Sequence, residues 1–382
     1  MQVGTNKAVK QWTWGVALAA AALGAPAYGA DPEAVMDGLK GVSVKGYVEG
    51  QYNYNFNDPV DNTATTANEN QANLFRVFDT KANSFTFNMA ELALTKSSEA
   101  GTGFGLVLNY GLDAKAINLD PTFGADNFEV QQAYVSEKLG GNVELKLGKL
   151  ATLAGAEVIE GPSNYNISRS FLFGWAIPFT HTGVRAAVTT PVPGVSLTLG
   201  LNNGWDIVSD NNKSKTAEAQ VGLTPMDMFS AFVTGYYGPE STVGADADNR
   251  GVVDVVATIK PMDGLALVLN YDRGSQEAAG GAGTASALWQ GYALYANLGI
   301  GDKHSVTLRG EVFDDQDGFR TSVAGGQTLR EVTLTFACKM RESLEWRAEV
   351  RHDESNQNVF VDDQGVAQDT QNTVALAAYY TF

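Results

Sequence analysis

From Leu153 to Phe179 the chain reads LAGAEVIEGPSNYNISRSFLFGWAIPF, gathering two carboxylates (Glu157, Glu160), one guanidinium (Arg169) and five aromatic residues, of which Phe171, Phe173 and Trp175 lie at alternate positions. Charges of both signs set among aromatics can sort molecules by charge and size, but they do not by themselves break bonds. Bond-breaking would need a nucleophile with a positioned base. The three histidines, His181, His304 and His352, have no compelling serine partner in sequence. Cys338 is the single cysteine, which excludes an internal disulfide and a haem-attachment pair, and with three histidines leaves little for a metal site. FDDQDG (Phe313–Gly318) lacks the length and closing Glu of a calcium loop and reads as a solvated acidic tip. No cofactor and no metal are expected. The chemistry left is electrostatic.

A second set of charges supports that reading. In LEWRAEVR, Leu344, Trp346, Ala348 and Val350 fall on one face of an extended chain, and Glu345, Arg347, Glu349 and Arg351 on the other. Val195, Leu197, Leu199 and Leu201 oppose Ser196, Thr198, Gly200 and Asn202 in the same way, as Val143, Leu145 and Leu147 oppose Glu144 and Lys146. One face suits lipid and the other suits water. A soluble barrel would need the reverse, so the charged face is expected to line a wet lumen. Lys146, Arg185, Arg309, Glu311, Arg330, Arg347, Glu349 and Arg351 are the expected lumen-wall charges. Opposed acidic and basic rows would order water across the lumen; alternatively, neighbours simply neutralise one another.

Alternation gives about sixteen candidate strands. Short connections such as EKLGGN, TPVPGV, KPMDG and GIGDK alternate with long polar ones along the chain, the longest running from Ala151 to Thr180. The fold class is therefore all-β: a transmembrane antiparallel up-and-down β-barrel with short periplasmic turns and long extracellular loops. Tyr52, Tyr54, Tyr110, Tyr236, Tyr237, Tyr271, Tyr379 and Tyr380, near strand ends, fit an interfacial girdle. A barrel of about sixteen strands is wide enough to leave an aqueous channel.

Residues 1–30 carry Lys7 and Lys10, an apolar stretch and small residues, the order of a cleaved secretory signal. Residues 31–41 form a short periplasmic lead-in, and residues 42–382 a single barrel. The formal net charge is −17 and the leader holds two lysines and no acid, so the processed chain is more negative still. That excludes nucleic acid as a general partner. Acids crowd the long connections: Asp58, Asp61, Glu69, Asp120, Asp126, Asp206, Asp210, Asp246, Asp248, Asp314, Asp315, Asp317, Asp362 and Asp363. Such a mouth predicts weak cation preference.

The stretch LAGAEVIEGPSNYNISRSFLFGWAIPFTHTGVRAAV resembles the OmpL-like family of β-barrel porins, through Gly155, Glu157, Asn164, Asn166, Ser168, Pro178, Thr182, Gly183 and Val184. The resemblance implies a channel in the outer membrane of a Gram-negative bacterium, without naming a solute. The ending NTVALAAYYTF, with Tyr380 and Phe382 on one face, resembles the signal read by the barrel-assembly machinery. The expected function is passive diffusion of small hydrophilic solutes or ions, narrowed by loop 151–180 folding inward. Glu157, Glu160 and Arg169 would then offer charge to a passing solute, with Phe171, Phe173 and Trp175 packed against the wall. In the competing arrangement these aromatics extend the flanking strands into the outer girdle. Two other functions stand beside this one, a barrel sheath or scaffold for a partner such as an electron-transfer cytochrome, and an outer-membrane hydrolase. Outer-membrane lipid is the expected surround, and homotrimer formation is left open.

Overall fold

Alternation of apolar and polar side chains decides this architecture, because it gives each strand one face for lipid and one for water. The computed structural model describes residues 40–59, 72–97, 101–119, 127–240, 248–278 and 286–382. The expected signal, and the lead-in up to residue 39, lie outside these residues. Ser43–Phe382 form one compact unit.

Among the described residues sixteen strands close into a barrel. In chain order they are β1 (Val42–Asn55), β2 (Ser84–Ser97), β3 (Thr102–Tyr110), β4 (Phe128–Leu139), β5 (Val143–Ala151), β6 (Thr180–Thr189), β7 (Val195–Asn202), β8 (Thr216–Met226), β9 (Phe229–Pro239), β10 (Asn249–Met262), β11 (Leu265–Gln276), β12 (Ala287–Ile300), β13 (His304–Asp315), β14 (Gln327–Arg341), β15 (Leu344–Ser355) and β18 (Thr370–Thr381). A two-stranded hairpin, β16 (Phe360–Val361) with β17 (Ala367–Gln368), sits in the last long connection, and a one-and-a-half-turn helix, α1 (Leu112–Ile117), follows β3. Each barrel strand lies beside its neighbours in sequence, and β18 returns to pair antiparallel with β1. At that seam Gly46 N donates to Phe382 O (3.1 Å) and Phe382 N to Gly46 O (3.0 Å). No helix among the described residues is long and apolar enough to cross a membrane; the strands do the crossing.

Tight turns join the strands at one end. Gly194, Gly264 and Gly301 take positive φ there (73°, 78° and 64°), a region open to glycine without steric cost. The opposite end carries the long connections.

Exposure confirms which face is which. On β15, Arg347, Glu349, Arg351 and Asp353 are buried, while Trp346 and Val350 are exposed; on β1, Glu49, Gln51, Asn53 and Asn55 are buried, while Val48 and Tyr54 are exposed. Polar residues therefore fill the inside and apolar ones clothe the outside, the inverse of a soluble barrel.

Three expectations are corrected by this parity. Arg330 points outward, sharing a face with Val332, Leu334 and Phe336, while its neighbour Glu331 is the inward residue; Arg330 pairs outside with Glu354 (3.2 Å). Tyr236 and Tyr379 are inward and buried, so they are not part of the outer girdle, unlike exposed Tyr54, Tyr110, Tyr237 and Tyr380.

Candidate functional site: the lumen and the loop between β5 and β6

The connection 152–179 is built to lie inside the barrel. Its apolar residues Ile159, Ile167, Phe171, Leu172, Phe173, Ile177 and Phe179 are buried, and each large side chain so placed contributes about 1.5–3 kcal/mol. Its polar backbone must then find partners away from water. Inward side chains from strands all around the wall supply them.

Glu311 on β13 accepts from the N–H groups of Phe171 and Leu172 (2.6 Å each), where a single π-helical turn, Leu172–Ala176, begins. Glu349 on β15 accepts from Ile167 N (2.7 Å) and Ser168 N (3.0 Å). Arginines take the carbonyls. Arg309 donates to Ser168 O (2.8 Å), Arg351 to Arg169 O (2.6 Å), and Arg347 to Gly161 O and Asn166 O (3.1 Å each). From the other side, Tyr236 Oη accepts from Leu153 N (2.9 Å), and Asn270 Oδ1 from Ala156 N (3.0 Å). Trp289 Nε1 donates to Ala176 O (3.1 Å). The loop returns to the wall where Asp206 accepts from Phe179 N (2.8 Å) and Thr180 N (2.9 Å). Burial raises the Asp206 carboxyl above its ordinary range despite those two bonds.

The six loop residues singled out by sequence have separate fates. Glu157 is buried, ion-paired with Arg309 (2.7 Å) and bonded to Ser170 N (2.7 Å). Arg169 is buried, gives its N–H groups to the carbonyls of Val158, Ile159 and Ile167, and lies over the rings of Phe78 (5.1 Å) and Phe173 (5.8 Å). These two charges are enclosed by structural bonds, contrary to the expectation that they face a solute. Glu160 is half-buried and accepts from Gln131 Nε2 (2.7 Å). Phe171 and Phe173 are buried, and Trp175 donates to Phe75 O (3.0 Å), so the outer-girdle arrangement of the aromatics is not the one adopted.

Of the expected wall charges, Lys146 is partly exposed, near Glu144 (3.9 Å) and over Tyr134 (5.0 Å). Arg185 pairs with Glu218 (2.5 Å), Arg309 with Glu331 (2.6 Å), Arg351 with Asp353 (2.6 Å) and Arg347 with Glu345 (2.7 Å). Glu331, Asp353, Glu218 and the Lys149–Glu129 pair were missed from sequence, although all five lie on recognisable strands. Arg76, paired with Asp79 and with Asp353 (2.6 Å), sits in the irregular connection after β1, where no periodicity could reveal it. Phe78 of that connection packs on Phe173 (5.7 Å).

The histidines have other partners. His181 contacts Gly204 O (3.0 Å) and stacks on Tyr236, His304 stacks on Phe336, and His352 meets Asn372 Oδ1 (2.8 Å). Among the described residues none is hydrogen-bonded to a serine. No group of three or more metal-ligating side chains occurs among those residues either.

Solved structures share this fold. The anion-selective porin from Comamonas acidovorans is 13% identical, with a TM-score of 0.62, covering 89% of this chain and 99% of that one. The outer membrane channel DcaP of Acinetobacter baumannii is 12% identical, with a TM-score of 0.59, covering 89% and 97%. The trimer form of OmpT from Vibrio cholerae is 11% identical, with a TM-score of 0.58, covering 89% and 99%. Among curated protein sequences none matches. A family model described as "Putative beta-barrel porin-2, OmpL-like" matches residues 41–382, and the chain belongs to that family, as a porin-type barrel of the Gram-negative outer membrane.

Proposed function

We propose that the barrel is a water-filled channel for passive diffusion of small hydrophilic solutes or ions, narrowed by the loop between β5 and β6. The observation that carries this reading is the fastening of that loop to inward carboxylates, guanidiniums and hydroxyls from strands around the lumen. A segment held from several sides cannot swing clear, so it sets the width of the passage. Weak cation preference follows from the net charge of −17 and from acids such as Asp317, Asp362 and Asp363 at the long-loop end. Tyr380 and Phe382, exposed on the outer face beside the seam, serve as the handle for the assembly machinery. Assembly as a homotrimer fits the same reading. A sheath for a folded electron carrier is disfavoured, because the carrier would have to displace the loop and its buried ion pairs.

Liposome swelling tests the channel and its filter together. Vesicles holding the protein should swell in a small sugar and progressively less in larger ones. Replacing Glu311 and Glu349 by Gln removes the carboxylates that hold four loop N–H groups, and should raise the size limit. Equal swelling with and without protein would sink the channel, and an unchanged size limit in the variant would sink the loop as its filter.

A further inference from the structure

Most inward arginines meet a carboxylate, as Arg76, Arg185, Arg309, Arg347 and Arg351 do. Two at the long-loop end form no ion pair among the described residues. Arg250 is the second residue of β10, and Arg320 lies in the connection after β13. The Arg250 guanidinium carbon stands 5.0 Å from the ring centre of Trp205 and 5.4 Å from that of Phe319; the Arg320 carbon stands 5.4 Å from Trp205 and 5.4 Å from Trp289. Aromatic faces steady a cation without using its N–H groups. Arg250 gives Nε to Gln276 Oε1 (2.7 Å) and Arg320 gives Nε to the carbonyl of Trp175, which leaves the terminal guanidinium N–H groups of both without a hydrogen-bond or ion-pair partner among the described residues. Trp205 is buried and its indole N–H also has no hydrogen-bond partner among the described residues.

Asp206, Glu240 and Asp315 stand near enough to attract the pair, yet none forms an ion pair with either guanidinium, and each directs hydrogen-bonding oxygens to other groups. Asp206 serves the N–H groups of Phe179 and Thr180, Glu240 serves Trp205 N and Thr216 Oγ1, and Asp315 serves Arg320 N, Thr321 N and Thr321 Oγ1. Burial, with the adjacent Arg250 guanidinium, lowers Arg320 to about 10. Two half-buried cations thus stand close together with donors to spare, inside a mouth whose other charges are mainly acidic.

We propose that Arg250, Arg320 and the Trp205 indole N–H form a docking site for the carboxylate of a small organic solute at the outer mouth of the channel. The guanidinium fork matches the two oxygens of a carboxylate, and the surrounding rings give the solute an apolar flank. An acidic mouth repels anions in general, so a carboxylate needs such a local site to dwell there at all. The inference rests on the channel reading, and its test separates the two.

Single-channel current is recorded from the refolded protein in a planar bilayer in sodium chloride, with sodium butyrate added to one side. Butyrate should reduce the current saturably, while butanol at equal concentration should not, and sodium phosphate, which meets the fork without using the apolar flank, should block more weakly. The double variant Arg250→Met, Arg320→Met should need roughly tenfold more butyrate, the loss expected when charge-assisted hydrogen bonds are removed. Arg320→Lys, which keeps the charge without the fork, and Trp205→Phe, which keeps a ring without the N–H, should each weaken block several-fold. Both milder variants keep the test open if the double variant fails to fold, which its heat-shifted gel band would reveal. Conduction without saturable butyrate block overturns the site, as does block unchanged in Arg320→Lys and Trp205→Phe, or block by phosphate as strong as by butyrate. A protein that never conducts sinks the channel reading instead; tryptophan fluorescence titrated with butyrate then reads the site directly, and a flat titration overturns it.

Discussion

Arg309 and Arg330 lie on adjacent strands and carry the same formal charge, yet their surroundings give them opposite consequences. Arg309 is fully buried and holds Glu157, Glu331 and the Ser168 carbonyl, so it joins the wall to the loop. Arg309→Met leaves Glu157 buried without its cation and Glu331 with only Arg351, 3.8 Å away, and removing one partner of a buried pair costs about 3–5 kcal/mol. Arg330 meets Glu354 on the outer face with both side chains about half exposed, and such pairs contribute at most about 1 kcal/mol. Urea unfolding of the refolded barrel should therefore show a large loss for Arg309→Met and a small one for Arg330→Ala. Similar losses for the two would mean that the interior network is not what fastens the loop. Both residues read alike from composition. Their difference was nevertheless legible, because Val332, Leu334 and Phe336 share the parity of Arg330 and mark its side as the apolar one.

At the scale of elements, the strands were readable because each has lipid on one side and water on the other, which forces strict alternation. The strand count and the up-and-down order are read from that alternation together with the short and long connections between strands. The loop between β5 and β6 was readable as an inward segment, since SFLFGWAIPF is too apolar to stand in water, but its charges were not. Glu157 and Arg169 look available in sequence and are enclosed in structure, because a buried backbone has to be satisfied and these side chains satisfy it. Arg76, and the meeting of Trp205, Arg250 and Arg320, depend on irregular connections that come together only in three dimensions. The terminal strand allows a separate test. Phe382 makes the seam through its backbone, and its side chain is exposed, so Phe382→Ala should leave the stability of refolded protein nearly unchanged while lowering the yield of heat-modifiable barrel in cells several-fold. Normal cellular yield would remove Phe382 from the assembly signal.

At the scale of the whole molecule, the barrel turns the usual distribution inside out, with arginine and glutamate networks where a soluble protein keeps leucine. Those networks serve as a scaffold as well as a lining, since they hold a loop in the lumen that apolar contacts alone would not orient. In the proposed channel a solute would pass beside that loop, between a mouth rich in acids and a wall that presents half-exposed Lys146. Single-channel conductance in a planar bilayer, with the reversal potential taken across a salt gradient, tests this account most directly. Steady open steps with a reversal shifted modestly toward the cation potential are the predicted result. A folded, heat-modifiable barrel that passes no current would contradict it.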